Sequence, residues 1–258
     1  MNVGLLTDTH YGAVEENPTE ALDSLIQHFR EENVTTVVHL GDVGKEIEQT
    51  ADETYNYIES IFTKLEEFDT YLLRGNHDVQ NFSPEQLEDI PGLDNCVTGT
   101  ERLTGSKTND EMLLVETATV LNGHPVGYIP DETLDTIISF LSDDSIETHY
   151  LLSHYPLQYT DYYQQRPFFK TQPEYAFPIN KPLLNIELHK NQDTINTNTI
   201  HCISGHLHPP TEYTTQTDPY NIQLTIKEAV TGFEEADSGE LVFFENTTLN
   251  PDDFVYTL

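Results

Sequence analysis

The chain has no tryptophan and very little positive charge. Its 258 residues carry 11 Lys plus Arg against 45 Asp plus Glu, a formal charge of −34. A surface of that sign repels phosphate backbones, whereas polynucleotide affinity rests on basic groups that release counterions. A nucleic-acid partner is therefore not expected unless a local basic groove reverses the overall sign. Self-repulsion of this size also works against a compact state at ordinary ionic strength. At about 1 M salt the Debye length falls to roughly 3 Å, and much of that penalty disappears. Acids stand where lysine usually covers a helix face, as in Arg30-Glu31-Glu32 and Leu65-Glu66-Glu67-Phe68-Asp69. The composition is halophilic in kind, and adaptation to molar intracellular salt is expected.

Other absences narrow the class. Two cysteines, Cys96 and Cys202, cannot form a disulfide framework, and each is expected as a small buried apolar residue. No apolar run approaches the roughly 18 residues of a membrane span, and the strand-like start Val3-Gly4-Leu5-Leu6 carries no basic leader. The expectation is a soluble, cytoplasmic protein with no membrane partner. There is no internal repeat and no low-complexity tract.

Apolar periodicity persists along most of the chain, which disfavours disorder. Residues 3–7 form a buried strand. Leu22, Leu25, Ile26 and Phe29 follow at helical spacing behind Pro18. Residues 34–40 give a second strand, a long helix follows along Ile47, Ala51, Ile58, Ile61, Phe62 and Leu65, and residues 70–73 give a third strand. This βαβαβ order favours parallel strands with right-handed crossovers. Further strands are expected at 112–121 and 126–129 around the turn Asn122-Gly123, then at 150–153 and 199–204. Helices are expected along Leu134, Ile137, Ile138 and Leu141, and near 183–189. The tail at 222–244 has the pattern of antiparallel strands with turns at Thr231-Gly232 and Ser238-Gly239. One domain spanning 1–258 is expected, with an aromatic-rich insertion at 156–181.

The chemistry sits at the strand ends. The first strand ends in Asp8-Thr9-His10, the second in Gly41-Asp42 and the third in Gly75-Asn76-His77-Asp78. The strand at 150–153 ends in His154, and the strand at 199–204 ends in Gly205-His206-Leu207-His208. In open α/β sheets ligands bind beyond the carboxyl ends of the strands, so these sites should converge on one rim. By the same logic the buried His39 and His201, inside strands, are expected to be hydrogen-bonded core residues.

In this order DTH, GD, GNHD, H and GHLH resemble the calcineurin-like metallophosphoesterase superfamily. The resemblance runs from Asp8 to His208. It implies a four-layer α/β/β/α sandwich, two mixed sheets flanked by helices, and two divalent metal ions. Asp8, His10 and His208 would hold the first ion; Asn76, His154 and His206 would hold the second, with Asp42 bridging both. This mixture of carboxylate, amide and imidazole suits Mn²⁺ foremost, with Fe or Zn²⁺ as alternatives. The resemblance further implies attack on a phosphate ester by a metal-bridging hydroxide. His77, unligated, would protonate the leaving oxygen, and Asp78 would accept a hydrogen bond from His77 and fix its orientation.

Substrate signals are fainter. Arg74, Arg166 and Lys170 are candidate phosphate contacts, although an arginine near a strand end is as often solvated or ion-paired. Tyr155, Tyr159, Tyr162, Tyr163, Phe168 and Phe169 could stack on a nucleobase, though packing onto the core is the better reading. Gly41-Asp42-Val43-Gly44-Lys45 lacks the tyrosine of purple acid phosphatases, and His154-Tyr155-Pro156 resembles a motif of small bacterial phosphodiesterases. The expected function is hydrolysis of a small phosphomonoester or phosphodiester, nucleotides included. The alternatives are a DNA nuclease of the same superfamily and, further off, a non-catalytic scaffold. The sequence leaves the oligomeric state open.

Overall fold

The computed structural model describes residues 1–10, 19–44, 51–105, 109–157, 178–195, 199–206, 211–217, 220–226, 231–235, 241–245 and 251–258. Two sheets carry the fold. In the first, β1 (Asn2–Leu6), β2 (Thr36–His39), β3 (Asp69–Leu72) and β4 (Asn95–Cys96) run parallel. The short β15 (Val255–Thr257) closes its edge antiparallel to β1. In the second, β6 (Glu111–Val115), β9 (His149–Ser153), β10 (Thr199–Ser204) and β12 (Tyr220–Ile226) run parallel. Antiparallel β5 (Thr100–Thr104) and β11 (Thr211–Thr217) form its edges. Two hairpins, β7 (Ala118–Leu121) with β8 (His124–Gly127) and β13 (Thr231–Glu235) with β14 (Leu241–Glu245), complete the strands.

Strand alternation explains how the layers stack. Side chains of period two send Leu6, Val37 and Leu72 to one face of the first sheet, and Val3, Leu5 and Val38 to the other. The first face packs on α1 (Thr19–Glu31) and α2 (Ala51–Lys64) through Leu22, Leu25, Ile26, Phe29, Ile58, Ile61 and Phe62. Each such side chain, fully buried, contributes about 1.5–3 kcal/mol. In the second sheet Leu113, Val115, Leu151, Ile200 and Cys202 meet α5 (Asp131–Leu141) and α6 (Lys181–Lys190). Between the sheets lies a third core of Val3, Leu5, Val38, Met112, Leu114, Leu152 and Ile203. Three cores separate four layers, in the order helix, sheet, sheet, helix. Strands buried on both faces read as continuous apolar runs, which is why both sheets are mainly parallel.

Several expectations need correcting. The strand expected at 112–121 is broken after Val115: the Glu116 carboxylate turns to Arg74, and the Thr117 carbonyl accepts the Tyr128 N–H (2.7 Å). Thr231-Gly232 is no turn but lies inside β13, with Gly232 opposite Phe244. The tail is not purely antiparallel, since β12 runs parallel to β10. The turn Asn122-Gly123 is present, both residues having positive φ (53° and 82°). The sequence pattern does not predict β4, β5, β11, β15 or the short helices α3 (Asn76–Asn81) and α4 (Pro84–Leu87). β15 is held where the Met1 amino group donates to the Leu258 carbonyl (2.7 Å), a pairing of residues remote in sequence. No helix among the described residues is long and apolar enough to cross a membrane.

Candidate metal centre

The carboxyl ends of β1, β2, β3, β9 and β10 meet at one rim, and hydrogen bonds stitch the loops beyond them together. The Asp8 N–H donates to the Gly41 carbonyl (2.9 Å), and the His10 N–H to the Asp42 carbonyl (3.1 Å). The second sheet joins through the His206 N–H, which donates to Asp8 Oδ2 (2.9 Å), and through His154 Nδ1, 2.8 Å from the Leu40 carbonyl. These contacts hold a strained backbone. Of six described non-glycine residues with left-handed φ, four are Asp8 (49°), His10 (40°), Asp42 (55°) and His206 (68°). Each costs about 1–3 kcal/mol and persists only where the surroundings over-determine it. The glycines beside the ligands leave no room for a side chain. A Cβ on Gly75 would overlap Asp42 Oδ1, and one on Gly205 would overlap Thr7 Oγ1.

Two groups of donors result. Asp8, His10, Asp42 and His77 form one: His10 Nε2 lies 3.7 Å from Asp8 Oδ1 and 3.9 Å from Asp42 Oδ2, and ligand atoms of His10, Asp42 and His77 lie within 4.8 Å of one another. Asp42, Asn76, His154 and His206 form the other. There His154 Nε2 is 3.1 Å from Asn76 Oδ1, 3.1 Å from His206 Nδ1 and 3.5 Å from Asp42 Oδ2. Asp42 belongs to both groups. Two ligand nitrogens, each about 2.1 Å from one ion, would stand roughly 3 Å apart at a right angle, so the His154–His206 spacing suits a shared cation. His154 turns Nδ1 to a backbone carbonyl and leaves Nε2 for the ion, the usual support for a ligating imidazole.

Electrostatics supports the same fit. Burial pushes the Asp8 carboxyl up to about 7, aided by Asp42. Burial would raise Asp42 as well, but the imidazoles of His154, His77 and His10 hold it well below the usual carboxylate range. Burial alone would lower His154, yet Asp42, Asp8 and Asp78 hold it up to about 9. Buried, like-charged carboxylates beside imidazoles are costly without compensation, and divalent cations supply it. The donors present fit a metal centre.

Two candidate residues have other employment. Asp78 makes no hydrogen bond to His77; instead its carboxylate accepts the N–H groups of Asp42 (2.8 Å), Gly75 (2.8 Å) and Val43 (3.1 Å). Three backbone donors aimed at one buried carboxylate take its lone pairs and tie the second strand's loop to the third's. Arg74 forms an ion pair with Glu116 and is only 12 % exposed, so its guanidinium is engaged as a structural cation. His208, Arg166 and Lys170 lie outside the described residues, as does most of the insertion, 158–177.

Two further residues support the site in ways the sequence does not predict. His39, fully buried, accepts the Gly41 N–H at Nδ1 (3.1 Å) and places Nε2 3.1 Å from Thr9 Oγ1, which donates to the Val43 carbonyl (2.8 Å). Burial, with His154 nearby, pushes its pKa down to about 3, so it is a neutral brace between the Asp8–His10 and Asp42 loops. A polar residue inside an apolar strand, two positions before Gly41-Asp42, is its signal. The other is Tyr155, buried against His206.

The family profile described as calcineurin-like phosphoesterase matches residues 1–210. No curated protein matches the chain in sequence. Among solved structures, a dimetal phosphatase from Danio rerio is 15 % identical, with a TM-score of 0.63 over 89 % of this chain and 87 % of that one. GAP50, the anchor in the inner membrane complex of Plasmodium, is 10 % identical, with a TM-score of 0.50 over 87 % of this chain and 70 % of its own. At these identities the likeness is one of fold.

Proposed function

The chain belongs to the calcineurin-like phosphoesterases, metal-dependent phosphoester hydrolases, and from that premise we propose that it hydrolyses a small phosphomonoester or phosphodiester, nucleotides included. The observation that carries this reading is the convergence of Asp8, His10, Asp42, Asn76, His154 and His206 on one rim, with Asp42 common to both donor groups. His208 would complete the first group. Mn²⁺ is the preferred ion for such oxygen and imidazole donors, Fe and Zn²⁺ being the alternatives. When bound, two such ions supply a water nucleophile at neutral pH and neutralise the phosphoryl oxygens.

The chain's own residues do the rest. Asp42, fixed by Asp78 through its N–H, presents its carboxylate to both groups and accepts the His77 N–H at Oδ1 (2.9 Å). His77 begins α3 with its ring edge-on to His10, at 5.2 Å between centroids. Nδ1 of His77 is buried with no hydrogen-bond partner among the described residues, so this imidazole has a nitrogen to spare for a proton. We assign it the protonation of the leaving oxygen. Asp78 acts by holding the loops and not by orienting His77.

Charge favours a small substrate. Every Lys and Arg whose side chain is described is ion-paired: Arg30 with Glu67, Lys64 with Asp23, Arg74 with Glu116, Arg102 with Glu111 and Asp143, and Lys190 with Glu187. A polynucleotide would find no unpaired cation among them, which counts against the nuclease alternative. The charge of −34 supports a cytoplasmic protein working in molar salt. The test is hydrolysis of bis-p-nitrophenyl phosphate and p-nitrophenyl phosphate in molar KCl with Mn²⁺, for wild type and His77→Ala. Cleavage that collapses in the variant while its ion content is unchanged supports the reading. Loss of ions from His77→Ala would make His77 a ligand instead, and cleavage of DNA with neither ester touched would overturn the substrate class.

A further inference from the structure

We propose that Tyr155 is a positioning residue for the second donor group, holding the His206 imidazole where it can share a cation with His154; the inference rests on the metal reading of that site. Tyr155 is fully buried, so its ring is not presented to a substrate base. Its centroid lies 4.2 Å from that of His206, at 44° between planes, and 5.3 Å from that of His154, nearly perpendicular. One aromatic ring thus touches both imidazoles of the pair.

The tyrosine is itself fixed from three directions. Its N–H donates to Thr117 Oγ1 (3.1 Å), and its carbonyl accepts the Ser153 hydroxyl (2.8 Å). Behind the ring a Cβ at Gly127 would stand 3.0 Å from Tyr155 Cγ, so the second hairpin strand is pressed close against it. The ring is therefore a rigid wall, and the His206 imidazole packs against it. His206 has φ of 68°, a conformation the local chain does not favour, and its backbone N–H donates to the Asp8 carboxylate. Its ring contact with His154, Nδ1 to Nε2 at 3.1 Å, joins two atoms that both become ligands when a cation is shared. The contact with the Tyr155 face uses no ligand atom and survives that change. An imidazole bound to a cation carries partial positive charge, which an aromatic face also favours.

The test counts ions, independently of activity. Wild type, Tyr155→Phe and Tyr155→Leu would be stripped of metal, titrated with Mn²⁺ in molar KCl by calorimetry, and checked for folding by circular dichroism. Wild type and Tyr155→Phe should bind two ions alike, since the ring face is kept. Tyr155→Leu should keep the tighter ion and lose affinity for one site by about 10–100-fold, the range for supporting residues around a ligand. Equal binding of both ions by Tyr155→Leu would overturn the inference, as would equal weakening of both, which marks a general packing role. Should Tyr155→Leu fail to fold, Tyr155→Met, which also lacks the ring, must show the same loss at one site or the inference falls. A wild type that binds fewer than two ions would instead overturn the metal reading itself.

Discussion

The two donor groups share Asp42 but are built differently. Among the described residues the first is made within one sheet: Asp8 and His10 leave β1, Asp42 leaves the neighbouring β2, His77 follows β3, and backbone hydrogen bonds with the neutral His39 brace the first two loops. The second draws its donors from both sheets, Asn76 beyond β3 and His154 and His206 beyond β9 and β10. Its bracing is correspondingly different: one carbonyl under His154 and the face of Tyr155 under His206. The first group is thus set by strand pairing, and the second by how two sheets pack over the apolar layer of Val3, Leu5, Leu114, Leu152 and Ile203. A perturbation that loosens the contact between sheets should strike the second group before the first.

The largest effect should come from the residue the groups share. Asp42→Ala is expected to empty both sites and to lower phosphoester hydrolysis by about 10²–10³-fold or more, as loss of an electrostatic stabiliser does. Ion content and turnover measured on the same preparation would check this, and retention of one ion would separate the groups altogether. Next is Asp78→Ala, which orphans three buried N–H groups at about 1–3 kcal/mol each. The melting temperature should fall by roughly 10 °C or more, at about 2–4 °C per kcal/mol for a chain of this size. An unchanged melting curve with reduced turnover would restore a partnership with His77.

Smaller changes resolve the groups. His39→Leu, close to it in volume, removes the brace between the Asp8–His10 and Asp42 loops. Mn²⁺ affinity should drop by about 10–100-fold at the site fed by the first group, with less effect at the other. Equal affinities would show that strand pairing alone suffices. The mildest test is pH. His154 in the metal-free protein has its pKa raised to about 9. The stability this contributes is complete below its unfolded value near 6.5 and is lost as pH rises through 9. A bound cation displaces that proton, so Mn²⁺ affinity should rise about tenfold per pH unit across this window and level off above it. Calorimetry in buffers of different ionisation enthalpy would count the proton released.

The sequence by itself determined the strands that are buried on both faces, the βαβ order and which carboxylates, amides and imidazoles stand at the strand ends. Those signals are local: apolar period, a glycine at a strand end, and a carboxylate or imidazole beside it. Only the tertiary structure decided what each neighbour does. Asp78 follows His77 directly, yet serves the N–H groups of Asp42 and Val43, because the third strand's loop folds back over the second's. Arg74 stands two positions before Asn76, yet turns to Glu116, just beyond the end of β6 in the other sheet. Tyr155 is one of the aromatics that could have stacked on a nucleobase, yet it is buried against His206. Hydrogen bonds and ring contacts act only over 3 to 5 Å. Which groups come that close is set by sheet packing between residues far apart in the chain, and no local pattern records it.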